Sequence, residues 1–201
     1  MDEARTVGAG RALVVAGVVW SLMAVVQFRL GLFDHSAGGA YLAHQAVAVV
    51  ALGLIVGALW LLVRARIAGD GRYARTVLVL FAGGWLLILL GGLSNLASGD
   101  GTGPLATVGM VLPAVGGALN GLTGLLAGIA VARAGRLPGW RRWSVLVYAL
   151  YYLAVLWLPV AITGQPPSML PEIGWGLAWI LVGVAAMNTR RDVRATTAAV
   201  T

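Results

Sequence analysis

The sequence of 201 residues contains no cysteine and no lysine. Without cysteine there is no disulfide, no thiolate metal ligand and no thiol nucleophile. Without lysine there is no amine to hold retinal or pyridoxal phosphate as a Schiff base. Charge of either sign is scarce. Only 10% of the residues are charged, against about 25% in an ordinary soluble domain. Histidine is scarcer still, at two residues. Neither H-x-x-x-H nor H-x-x-E-H spacing occurs, and no second intramembrane histidine faces the first, so neither a metal site nor a haem is expected. The glycine-rich GDGTGP (Gly99–Pro104) lacks the G-K-[ST] ending of a phosphate loop and follows a helical run, which excludes nucleotide binding on that motif. No cofactor of any kind is expected.

What is abundant is apolar: 60% of the residues are hydrophobic. They fall in six runs, Ala12–Phe33, Tyr41–Val63, Thr76–Ala97, Leu105–Ala132, Trp143–Ile162 and Met169–Met187. A helix of about 20 such residues crosses a 30 Å hydrocarbon layer. The expected fold is therefore all-α: a polytopic membrane protein forming one domain over residues 1–201, with six transmembrane helices in three antiparallel hairpins joined by short loops.

The net charge of +7 is carried entirely by arginine. Arg5 and Arg11 precede the first run. Arg64, Arg66, Arg72 and Arg75 separate the second from the third, and Arg133, Arg136, Arg141 and Arg142 the fourth from the fifth. Arg190, Arg191 and Arg194 follow the sixth. Thirteen of the fourteen arginines thus collect on one side of the membrane, with Arg29 alone toward the other. Loops that stay in the cytoplasm collect basic residues, so both termini are expected there. The arginine-only, alanine- and glycine-rich composition points to the cytoplasmic (inner) membrane of a high-GC bacterium. The arginines lie between apolar runs and form no patch on a soluble face, so nucleic acid is not expected as a partner.

Glycine is costly in a helix in water, by about 1 kcal/mol against alanine, yet the fourth run is rich in it. On a helical wheel Gly117, Gly121, Gly124 and Gly128 share one face, and Leu119, Leu122, Leu125, Leu126 and Ile129 the other. Helix pairing in lipid gains nothing from hydrophobicity, so small residues that let backbones approach closely carry more weight. The fourth helix is expected to be central, with its leucine face toward lipid or a partner. Gly53 and Gly57 supply a further G-x-x-x-G spacing. Ala16–Trp20 (AGVVW) and Ala82–Trp85 (AGGW) resemble each other, which a restricted alphabet explains as well as a repeat. Trp140 and Trp143, and at the other boundary Tyr41, Trp157 and Trp175, stand where interfacial aromatics are expected. Trp20, Trp85 and Trp179 lie deeper and require a partner for the indole N–H.

Few polar residues remain to carry chemistry, and most sit in the half of the spans away from the arginine-rich side. These are Gln27, Arg29, His44, Gln45, Ser94, Asn95 and Glu172, with Asp34 and His35 in the adjoining loop. Two readings fit them. One is a shared vestibule, with Glu172, Asp34 and His44 as acids and bases. The other is interfacial anchoring, with Arg29 paired to Asp34 or Glu172 and Glu172 favoured in the first turn by the helix dipole. Deeper in the bilayer, Asn120, Tyr148, Tyr152 and Trp179 either line an amphipathic cavity or act as helix-to-helix glue. No span carries a central acid or base, which weighs against a proton pump or cation channel. The function expected first is non-enzymatic: a small carrier, a binding protein for an apolar ligand, or a subunit of a membrane complex. Its partners would be the bilayer, an apolar small molecule or lipid, and another membrane protein or a second copy of the chain. The alternative is a small intramembrane enzyme acting on a lipid or isoprenoid near the outer leaflet.

Overall fold

A computed structural model describes residues 2–165 and 167–187. Pro166 and the expected basic cluster Arg190, Arg191 and Arg194 lie outside the described residues. The described chain is helical throughout, without a strand. Helices α1 (Glu3–Leu30), α2 (Gly39–Arg64), α3 (Arg72–Ser98) and α4 (Gly103–Ala134) are followed by a composite span over Gly139–Thr163 and by a final helix, Met169–Met187. All six are long and apolar enough to cross a bilayer. Within the composite span a 3-10 turn precedes α5 (Ser144–Tyr151), a π-helical turn covers Tyr152–Trp157, and α6 (Leu158–Thr163) completes it. Pro159 accounts for the π turn. It has no N–H to give the carbonyl four residues back, and its ring crowds that carbonyl, so the ladder shifts. The last helix is α7.

Helix ends follow local chemistry. The Asp2 carboxylate accepts from the Arg5 N–H at 3.2 Å and starts α1 well before the apolar run. Gly31, with φ at 67°, ends it. At the end of α2 the Arg66 N–H returns to the Val63 carbonyl and the Ile67 N–H to the Leu62 carbonyl. In this motif the left-handed position usually belongs to glycine. Here it is Arg66, at φ 58°, the one non-glycine residue with positive φ among those described.

The spans pack in chain order and α7 returns to α1, closing a ring. The closest pairs are the consecutive hairpin α3–α4 and the non-consecutive pair α1–α7, so α1 packs more extensively on α7 than on its hairpin partner α2. Glycine explains both closest seams. A Cβ on Gly17 would stand 2.4 Å from the Gly176 carbonyl oxygen, and one on Gly10 2.6 Å from that of Gly183. A Cβ on Gly116 would stand 2.6 Å from the Gly84 carbonyl oxygen, and one on Gly91 2.3 Å from the Pro113 ring. No side chain fits at these positions, and the numbering runs in opposite directions in each pair, so both seams are antiparallel.

On α4, Gly117, Gly121 and Gly128 pack against the fifth span, on Trp157 and Tyr152, Leu153, and the Leu146 backbone respectively, while Gly124 lies between Phe81 of α3 and Ala149. Leu122 and Ile129 are exposed on the other face, while Leu119, Leu125 and Leu126 are half-buried. Gly53 and Gly57 differ from expectation. Neither has an atom of another element within 4 Å of its Cβ position, and Gly57 is exposed, because that stripe of α2 faces away from the bundle.

Candidate functional site

The centre of the ring is filled. Trp85 of α3 stacks on Trp175 of α7 at 5.4 Å and meets Trp179 edge-on. Tyr148 lies 4.1 Å from Trp179, and Tyr152 stacks with Tyr148 at 6.2 Å. The Trp175 indole donates to the Tyr148 hydroxyl at 3.2 Å. Tyr148, Tyr152 and Trp179 are therefore buried packing, and the Trp179 N–H, expected to need a partner, has none among the described residues. Pairs of this kind contribute about 0.5–1.5 kcal/mol each beyond burial. Trp175 is not interfacial but core, because it falls on the same face as Trp179, one turn on. Tyr41 is likewise buried, while Trp140 and Trp143 are exposed near the arginine-rich end.

Asn120 is buried and ties two helices. With its amide oriented to satisfy both neighbours, it donates to the Phe81 carbonyl at 3.0 Å and accepts from the Trp85 indole at 3.3 Å. It lies directly over Gly84, which has no side chain to displace it. Asn120 thus acts as a helix tie.

The polar residues of the opposite half separate into two groups. In the first, Gln27, His44, Gln45 and Glu172 line one cavity of about 130 Å³ with Trp20, Met23, Ala24 and Ala48. Glu172 is held by its neighbours along α7. Ser21 donates to the Gly17 carbonyl at 3.0 Å and lies 3.3 Å from that of Ile173, and the Tyr151 hydroxyl donates to the Pro171 carbonyl at 3.0 Å. Between these ties Trp20 Nε1 donates to Glu172 Oε2 at 2.9 Å. His44 Nε2 lies 3.3 Å from the Met23 carbonyl oxygen. A carbonyl only accepts, so Nε2 carries the proton of that bond. Nδ1 is buried and has no partner among the described residues. Beside this cavity an apolar groove of about 520 Å³ runs between α1 and α2, bordered by Leu22, Val26, Ala43 and Val47. The two share Met23 and His44.

The second group braces the loops. His35 Nδ1 donates to the Gly99 carbonyl at 3.0 Å, and Nε2 lies 3.2 Å from Asn95 Oδ1. Asn95 donates to the Tyr41 hydroxyl at 2.8 Å. Gly101, at φ 76°, leaves room for the His35 ring. Asp34 joins neither group. Its carboxylate caps the short turn His35–Ala37 through the Ser36 hydroxyl and N–H, and these bonds hold its pKa below the usual carboxylate range. Arg29 is exposed and pairs with neither Asp34 nor Glu172. The expected single vestibule is thus divided, because α3 carries Asn95 to one side of α2 and α7 carries Glu172 to the other. Sequence reasoning did not bring Trp20 to Glu172. The available signal was a deep indole in need of an acceptor and a carboxylate in need of a donor.

Among the described residues no three of His, Cys, Asp and Glu come together as metal ligands. No family model, curated protein or solved structure matches the chain.

Proposed function

We propose that this multi-pass membrane protein is a non-enzymatic binding protein or carrier for an amphiphilic small molecule. The polar end of the ligand would occupy the Glu172 cavity and its apolar part the α1–α2 groove. The observation that carries this reading is that Met23 and His44 line both the cavity at Glu172 and the apolar groove beside it. The polar groups also narrow the ligand. The Glu172 carboxylate accepts, so the ligand would bring a donor: a hydroxyl, an amine or an ammonium group. We place the protein in a bacterial cytoplasmic membrane with the arginine-rich face and both termini inside, which reporter fusions at each end would test. No bound cofactor belongs to this reading.

Titration of the full chain in detergent with a long-chain alcohol, a long-chain amine and a fatty acid of equal length tests the ligand class. Trp20 borders the cavity, so its fluorescence follows occupancy. The alcohol or amine should saturate the signal. Glu172→Gln should weaken the amine by about tenfold, as loss of a charge-assisted hydrogen bond would. A linear, non-saturating response identical in the variant would sink the proposal. Glu172 and His44 bordering the same space also favour a second reading, acid–base chemistry on a lipid. Chemical change in the bound amphiphile, abolished by Glu172→Gln, would establish that reading instead.

A further inference from the structure

A second polar recess lies at the opposite end of the molecule, on the arginine-rich face. It encloses about 540 Å³ between α1, α2 and α3 and is lined by Arg5, Arg64, Arg66, Asp70 and Arg75, with Trp60 beside them. Four guanidinium groups and one carboxylate leave a surplus of positive charge. Their commitments differ. Arg5 pairs with Asp2 at 3.0 Å. Asp70 is shared by Arg66, at 3.1 Å, and Arg136, and Arg136 also donates to the Arg66 carbonyl at 2.8 Å. Arg64 and Arg75 have no ion-pair or hydrogen-bond partner among the described residues. Topology by itself asks only that arginines lie on this side. It does not ask that three elements aim them into one recess, nor that Arg66 occupy a left-handed backbone position that glycine adopts freely.

We propose that this recess binds a phosphate group, presented by an anionic phospholipid of the adjoining leaflet. Guanidinium forks match phosphate oxygens in pairs, and they are less strongly hydrated than ammonium groups. The lower wall is apolar, from α2 and α3, and Trp60 is 45% exposed at the depth where indoles meet lipid headgroups. A phospholipid with a net negative headgroup satisfies both walls at once, whereas a soluble anion uses only the upper one. A basic recess between helices at the membrane surface is a known form of anionic-lipid recognition.

The test uses the full chain in a non-ionic detergent, titrated separately with dioctanoyl phosphatidylglycerol, dioctanoyl phosphatidylcholine and sodium pyrophosphate. The thermal midpoint is the readout. Phosphatidylglycerol should raise it saturably, by about 5 °C, and the effect should shrink in high salt. Arg64→Gln with Arg75→Gln should weaken the apparent affinity by about tenfold. Arg11→Gln with Arg72→Gln removes the same charge from the same face outside the recess and should change it by less than about twofold. Should the glutamine pair fail to fold, Arg64→Lys with Arg75→Lys retains the charge and loses the forks, with an expected weakening of about threefold. An equal shift from phosphatidylcholine, an equal loss in the control pair, or no weakening in the lysine pair would each overturn the assignment. A shift from pyrophosphate without one from phosphatidylglycerol would overturn the lipid as its source.

Discussion

The α1–α7 and α3–α4 seams use the same device to different ends. Each helix offers two glycines seven residues apart: Gly10 and Gly17, Gly176 and Gly183, Gly84 and Gly91, Gly109 and Gly116. Seven residues are about two turns, so each pair lies along one side of its helix. The α3–α4 seam is closed along its length. Asn120 bonds over Gly84, the Pro113 ring fills the space at Gly91, and Gly109 lies against Asn95. The α1–α7 seam is closed at Gly10–Gly183 and Gly17–Gly176 and again where Ser21 meets Ile173. Beside Ser21 it opens at Trp20 and Glu172 into the polar cavity. Where the helices begin and end explains the difference. α7 begins at Met169, about two turns before Gly176, whereas α1 runs on from Gly17 to Leu30, so the last turns of α1 have no α7 beside them; α3 and α4 face each other up to Ser98 and from Gly103. The lesson is that small-residue packing joins helices, and unequal helices leave the site.

The comparison is broken most directly at the glycines. Gly176→Val and Gly116→Val should each destabilise the protein by about 1–3 kcal/mol or more, since backbone oxygens occupy the space required. Unfolding in mixed micelles measures this, and tolerance of one but not the other would show that the seams are unequal in strength. A smaller effect is expected at Asn120→Ala, about 1 kcal/mol, from the loss of two interhelical bonds and an orphaned Trp85 indole N–H. Trp20→Phe at the open seam should cost less stability and instead weaken amphiphile binding, because Glu172 loses its orienting donor. Gly57→Ala, on a face that meets nothing in the chain, should be neutral or stabilise by no more than about 1 kcal/mol.

The smallest effect concerns Asp70, whose hydrogen bonds from Arg66 and then Arg136 hold its pKa below the ordinary carboxylate value. A folded-state pKa that is lowered contributes stability above the unfolded value, and this is lost as pH falls through the folded one. The difference in thermal midpoint between the parent chain and Asp70→Asn should therefore be constant from neutral pH down to the ordinary aspartate range and close below it. Asp70 is exposed, so the difference will be slight.

Spans were legible because lipid imposes a length and a composition on any helix that crosses it, and Leu105–Ala132 or Met169–Met187 meets both conditions within a few residues. The shared face of Gly117, Gly121, Gly124 and Gly128 followed from helical periodicity. Residue type alone determined that Asn120 and the deep indoles called for partners, which Trp20 and Trp85 have and the buried Trp179 N–H lacks among the described residues. Which partners they found was decided by tertiary structure: Trp20 with Glu172, Trp85 with Asn120, Trp175 in the core instead of at the surface. So was the idle stripe at Gly53 and Gly57, which matches the packing motif as well as any other. Periodicity places residues on a side of a helix but not that side against a neighbour. Only the closing of α7 on α1, across almost the whole chain, brought His44 and Glu172 to one cavity.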